Sequence, residues 1–179
     1  MGKPFTVNTA RFDPYKGYNF RVYFVPSTPP ATNVVPSTTP VAGVSKVTGL
    51  KRSSDVIEYK EGGNGLIRKG LGRTKYDPIT LERGVTHDSD FEDWANAPQV
   101  LDKGAPSQSL KNLRRDLLIE LLNEAGQPVH RFTIHRCWVS EYQALPDLDA
   151  GANAVAIEHI KLENEGWEHD LTLKEPPEQ

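Results

Sequence analysis

The chain has 179 residues, a length that suits one folded unit with a sizeable core and leaves little room for a second. Hydrophobic residues make up 37% and charged residues 25%, which excludes a wholly disordered chain, and a net charge of -3 argues against a nucleic-acid binder that relies on a general basic field. The single cysteine, Cys137, excludes an intrachain disulfide framework.

Met1 to Arg11 has no apolar h-region, and no apolar run approaches the roughly 20 residues that span a bilayer. The expectation is a protein made and folded in the cytosol, with no membrane insertion by itself. Charge is unevenly spread. Lys51 to Lys75 holds seven basic residues against Asp55, Glu58 and Glu61, whereas Glu158 to Glu178 holds seven acidic residues against Lys161 and Lys174.

In chain order, Phe20 to Val25 is aromatic and β-branched and follows the turn-forming Asp13-Pro14-Tyr15, which predicts a first strand. The Pro/Thr-rich stretch at 26–40 lacks the donors a sheet ladder needs and reads as an extended surface loop. Val41 to Tyr59 predicts two strand segments broken near Gly49. A glycine-rich basic loop follows, with Gly62, Gly63, Gly65, Gly70 and Gly72, whose ordering costs entropy unless a partner rewards it. Ile79 to Val85 is again strand-like.

At Ser89 the period changes. Ser89 and Glu92 have capping-box spacing, and Phe91, Trp94 and Ala95 lie at i, i+3 and i+4, which predicts one helix from Asp90 to Gln99. Leu110 to Leu122 fits helix or strand; the turn signal Asn123-Glu124-Ala125-Gly126 and the alternating run after it favour a hairpin. In its second arm Phe132, Ile134 and Trp138 are expected on one face, and Arg131, Thr133, His135 and Cys137 on the other. Val155 to Leu162 is the last strand expected. The sum is a mainly β, antiparallel barrel or two-sheet sandwich with one α-helix, as a single domain over 1–179 with an extended loop at 26–40 and an extended tail at 169–179.

No chemistry stands out. The glycine-rich loop fails as a phosphate cradle because Arg68 occupies the third glycine position of G-x-G-x-x-G after Gly63 and Gly65. His135 and Cys137 fall short of the four ligands of a structural zinc site, and no G-x-S-x-G elbow is present. No catalytic residue, cofactor site or metal site is expected.

Several motifs in order carry a family resemblance: D-P-Y-K-G-Y-N-F-R-V from Asp13, V-A-G-V-S-K-V-T-G-L from Val41, V-I-E-Y-K-E-G-G from Val56, L-G-R-T-K-Y from Leu71, I-T-L-E-R-G-V from Ile79, L-L-N-E-A-G-Q-P-V from Leu121, P-D-L-D-A-G-A-N-A-V-A-I-E from Pro146, and E-G-W-E from Glu165. The chain resembles the tail tube proteins of contractile phage tails and the inner tube proteins of contractile injection systems, relatives in fold of the haemolysin-coregulated protein. The resemblance implies a non-enzymatic structural subunit that forms hexameric rings, stacked head to tail inside a sheath and driven through a target envelope. Implied partners are copies of itself, the sheath protein, and baseplate, hub and cap proteins, with cargo or phage DNA as candidate contents of the lumen.

The resemblance also implies that the loop from Lys51 to Lys75 contacts neighbouring subunits; the contact residues singled out are Lys60, Gly62, Gly63, Gly65, Leu66, Ile67, Arg68, Lys69 and Arg73. The alternatives are a tube-initiator ring at the baseplate and, from a different class, a monomeric β-sandwich binding module. Charge adds one more expectation: a basic loop at one ring face and acids from Glu158 to Asp170 at the other would make stacking electrostatically polar.

Overall fold

The computed structural model describes residues 14–26, 40–41, 43–60, 62, 67–102, 113–151 and 153–173. The Pro/Thr loop between Pro26 and Pro40 and the end of the tail lie outside them.

The first strand, β1 (Phe20–Pro26), runs antiparallel to β6 (Arg115–Leu122), and β6 to the long β7 (Pro128–Gln143). The second half of β7 pairs with β8 (Ile157–Glu163), β8 with β5 (Ile79–Gly84), and β5 with β2 (Val44–Val47). The sheet curls on itself. Val22 and Phe24 of β1 share one buried cluster with Ile79 and Leu81 of β5, Ile134 and Cys137 of β7, and Ile160 and Leu162 of β8. The Val41 N–H donates to the Val22 carbonyl at 2.8 Å and brings the two ends of the strand order together. The result is the expected antiparallel β-barrel type of fold.

The helix α1 (Asp90–Asp102) packs Phe91 and Trp94 into this cluster, and the Trp94 ring meets Phe24 edge-on at 4.8 Å. The helix is longer than its apolar spacing predicts. Its cap also differs from the predicted box: the Ser89 carbonyl accepts the Asp93 N–H, but the Ser89 hydroxyl turns to the Asp93 carboxylate at 2.8 Å rather than joining Glu92. Asp88 Oδ1 accepts the Asp90 N–H at 2.9 Å, satisfying one of the four free donors of the first turn.

Two expectations on β7 fail for one reason. Arg136 adopts φ 54° and the register with β6 slips between Arg115 and Leu117, so a bulge interrupts the alternation. Asp116 holds the bulge by accepting the Arg136 N–H at 2.7 Å. After it, Cys137 joins Ile134 in the core and Trp138 turns outward, the reverse of the predicted faces. Burial pushes the Cys137 thiol up to about 12, with the Asp116 carboxylate adding to the shift.

Strand β8 is not the last. After the Asn164-Glu165-Gly166 turn, β9 (Trp167–His169) continues along β7, pairing Trp167 with Ile134 and His169 with Phe132. Three residues are too few to show a strand period, and Gly166, at φ 130° with Tyr76 against it, supplies the turn.

Candidate assembly interface

The glycine-rich stretch is a hairpin, not a loop. Strand β3 (Arg52–Lys60) pairs antiparallel with β4 (Ile67–Tyr76) as a two-stranded sheet separate from the barrel. Ile67, Arg68, Lys69 and Arg73, expected in a bending connection, are therefore strand residues. Leu71 and Thr74 interleave with the glycines and Tyr59 stands opposite Arg68, so cross-strand pairing orders the chain despite its glycine content. Gly62 is in a turn, while Gly63, Gly65 and Leu66 lie outside the described residues.

Only one of the described glycines in β4 is required by close approach. At the bulge between Ser54 and Val56, a Cβ on Gly72 would stand 2.8 Å from the Asp55 carbonyl oxygen, whereas one on Gly70 would meet nothing closer than 3.8 Å. Beyond the bulge, the Ser54 and Thr74 hydroxyls bond across the strands at 2.9 Å.

The base of this arm is fixed to the barrel. Asp77 N–H donates to the Lys51 carbonyl at 3.1 Å, their side chains form an ion pair at 3.0 Å, and Asn164 Nδ2 donates to the Asp77 carbonyl at 3.0 Å. The arm itself is covered by nothing described. Every residue of β3 is exposed, including Val56, Ile57 and Tyr59, and on β4 Ile67 is exposed and Leu71 is 81% exposed. Since Val56 and Ile57 are adjacent in a strand, apolar side chains emerge on both faces. Lys69 lies 3.6 Å from Glu58 and Lys75 3.2 Å from Asp55, while Lys60 and Arg73 have no carboxylate within ion-pair distance among the described residues.

Two further surfaces were not legible in the sequence. A groove of about 610 Å³ opens beside the arm's root, lined by Phe20, Leu50, Ile119, Phe132 and Trp167. At the far end of β5 and β8, the connection from β7 to β8 exposes Leu145, Leu148 and Val155 beside Val85. The signal for the latter was an apolar set, Leu145, Leu148 and Val155, with no strand or helix period to bury it.

The acidic C-terminal region is largely engaged within the chain, which changes the electrostatic expectation. Glu158 is buried and bonded to Arg83 at 2.6 Å, so it cannot serve a ring face. Glu165 pairs with Arg114 at 2.7 Å and with Arg136 at 3.2 Å. Asp170 accepts from the Thr172 hydroxyl and N–H, which hold its carboxyl below the usual range.

The Arg136 bulge separates His135 from the buried Cys137, and no group of three or more His, Cys, Asp or Glu side chains among the described residues could hold a metal ion.

The family description "T4-like virus tail tube protein gp19" matches residues 16–168. The chain belongs to this tail tube family. The match spans both the barrel and the arm, and identifies a structural, non-enzymatic tube protein. A chain from the six-fold symmetrised cryo-EM structure of the anti-feeding prophage baseplate is 26% identical, with a TM-score of 0.68, covering 89% of this chain and 97% of its own. The fold is also that of a chain in the sheath–tube complex of the PVC extracellular contractile injection system in its extended state (22% identity, TM-score 0.67, covering 95% of this chain and 99% of that one). The anti-feeding prophage cap contains another such fold (23% identity, TM-score 0.68, covering 90% and 93%). No curated protein matches the chain. No helix among the described residues is long and apolar enough to cross a membrane.

Proposed function

We propose that this tail tube protein forms hexameric rings that stack head to tail as the inner tube of a contractile tail or injection particle, with a sheath outside and baseplate, hub and cap proteins at its ends. The arm is the proposed joining element between copies, with Lys60, Gly62, Gly63, Gly65, Leu66, Ile67, Arg68, Lys69 and Arg73 as its proposed contacts. Phage DNA or protein cargo are the proposed contents of the lumen.

One observation carries the reading: Val56, Ile57, Tyr59, Ile67 and Leu71 stand exposed on a hairpin paired only with itself. A lone two-stranded sheet is marginal in water, and an exposed apolar edge invites pairing with another chain. A second copy that covers these side chains offsets the ordering cost at about 25 cal/mol per Å² of apolar surface. Repeated heterologous contacts of this kind close into rings or extend as filaments, and a tube uses both.

The test is removal of the arm. Joining Lys51 to Asp77 through a short turn keeps the bonds at the arm's base, and the variant should remain folded yet form no tubes in negative-stain images. Tubes of ordinary length from that variant would show that the arm is not the joining element.

A further inference from the structure

We infer that the receiving surface for the arm is the β7–β8 connection of a second copy, around Leu145, Asp147, Leu148 and Asp149. This rests on the tube reading above and names the partner surface that reading leaves open.

The two surfaces lie at opposite ends of the same strand. The arm returns to the barrel at Asp77 and enters β5 at Ile79; the other end of β5, Gly84, pairs with Ile157, just after the connection, and the Val85 N–H donates to the Ala156 carbonyl at 3.0 Å. Six strand residues separate these ends by roughly 20 Å. Within one copy the arm's root and this connection therefore stand at opposite ends of β5, and a head-to-tail neighbour brings its arm to the connection.

Their chemistry is complementary. The sequence from Arg52 to Tyr76 holds six basic and three acidic residues, and that from Ala144 to Ala156 has Asp147 and Asp149 and no basic residue. Both acids are exposed, as are Leu148 at 70% and Val155 at 77%, so the connection presents apolar side chains framed by negative charge. The arm presents Val56 and Leu71, directly opposite each other across its strands, framed by Lys69 and Arg73. Such pairing orients the encounter and disfavours tail-to-tail contact, in which like charges meet. Asp149 Oδ1 accepts the Gly151 N–H at 2.8 Å, which fixes the turn beside the acids. The groove lined by Trp167 is the lesser candidate because it sits beside the arm's own root and has no acidic side chain in its lining.

The full chain is used for the test, with tube formation followed by sedimentation and negative stain. Reversal at Asp147→Lys with Asp149→Lys, or at Lys69→Glu with Arg73→Glu, should raise the concentration needed for tubes roughly tenfold at low salt, and combining them should restore most of it. In a separate measurement, Leu71→Cys protein mixed with Leu148→Cys protein should cross-link through a short bismaleimide. Unchanged tube formation by the Asp147/Asp149 reversal, or cross-linking of Leu71→Cys to Ser45→Cys in the groove in place of Leu148→Cys, would overturn the inference while leaving the tube reading standing. Absence of tubes from the unaltered protein would remove both.

Discussion

Arg83 of β5 and Glu158 of β8 stand directly opposite each other in the ladder, joined from Nε to Oε1 at 2.6 Å, with the arginine only 1% exposed. Both occupy inward positions of alternating strands, where the pattern otherwise places Ile79, Leu81, Ile160 and Leu162. Arg83 Nη2 also donates to the Asp88 carbonyl at 2.5 Å, its guanidinium lies 4.1 Å from the Phe91 ring centre, and Tyr142 Oη donates to Glu158 Oε2 at 3.2 Å. The pair thus ties the helix entrance to three strands.

Removing one member leaves the other charge buried without its counterpart. Arg83→Met should destabilise the chain by about 3–5 kcal/mol, lowering the thermal midpoint by roughly 6–20 °C. The double variant Arg83→Met/Glu158→Leu should lose less than Arg83→Met alone, since the buried carboxylate is removed with its partner and only the part-exposed Asp88 loses an ion pair. Thermal unfolding by circular dichroism reads both.

Gly72→Ala should act on assembly rather than on the barrel. The added methyl would collide with the Asp55 backbone and distort the arm, which lies outside the core. Tubes should become scarce while the thermal midpoint moves by less than about 2 °C, and Gly70→Ala, whose Cβ would make only an ordinary contact at 3.8 Å, should behave as the parent. Electron microscopy beside thermal melting separates the two effects.

Alkaline pH should destabilise the protein. Burial pushes Cys137 up to about 12, and burial with the Glu158 carboxylate pushes Tyr142 up to about 12. Between the ordinary values, near 9 and 10, and about 12, the folded chain keeps protons that the unfolded chain has released, so stability falls as pH rises through that window. Urea midpoints measured from pH 8 to 11 should decline, and Cys137→Ala should flatten part of the slope. For the same reason Cys137 should react with a thiol reagent only on unfolding.

The Arg136 bulge depends on the carboxylate that accepts its N–H. Asp116→Ala should cost about 1–2 kcal/mol, and Asp116→Asn, which keeps an acceptor oxygen, should cost less. Denaturant titration of the two variants distinguishes the lost bond from the lost charge.

The barrel was legible where alternation was strong, as in Ile79 to Arg83, because one strand face must be buried; the run to Leu122 fitted helix or strand, and only the turn signal and the alternating run after it favoured the strand that forms. Two features were not. The bulge at Arg136 rests on a backbone conformation that an arginine seldom takes, so strict alternation put Cys137 and Trp138 on the wrong faces. The arm's second strand was hidden by its glycines, which suggest a loop by composition, while the pairing that orders them is with residues distant in sequence, as for Gly70 with Ile57 and Tyr76 with Arg52. The apolar character of Val56 and Ile57 was visible, but adjacent apolar residues do not reveal that both faces await another chain.

The central claim is that exposed apolar side chains of the arm are covered by another copy. Cryo-EM of the purified full-length protein at high concentration tests it most directly. The account predicts six-fold rings or tubes with Leu71 and Val56 buried against a neighbouring copy. Dispersed monomers at every concentration, or tubes in which the arm stands free in solvent, would contradict it.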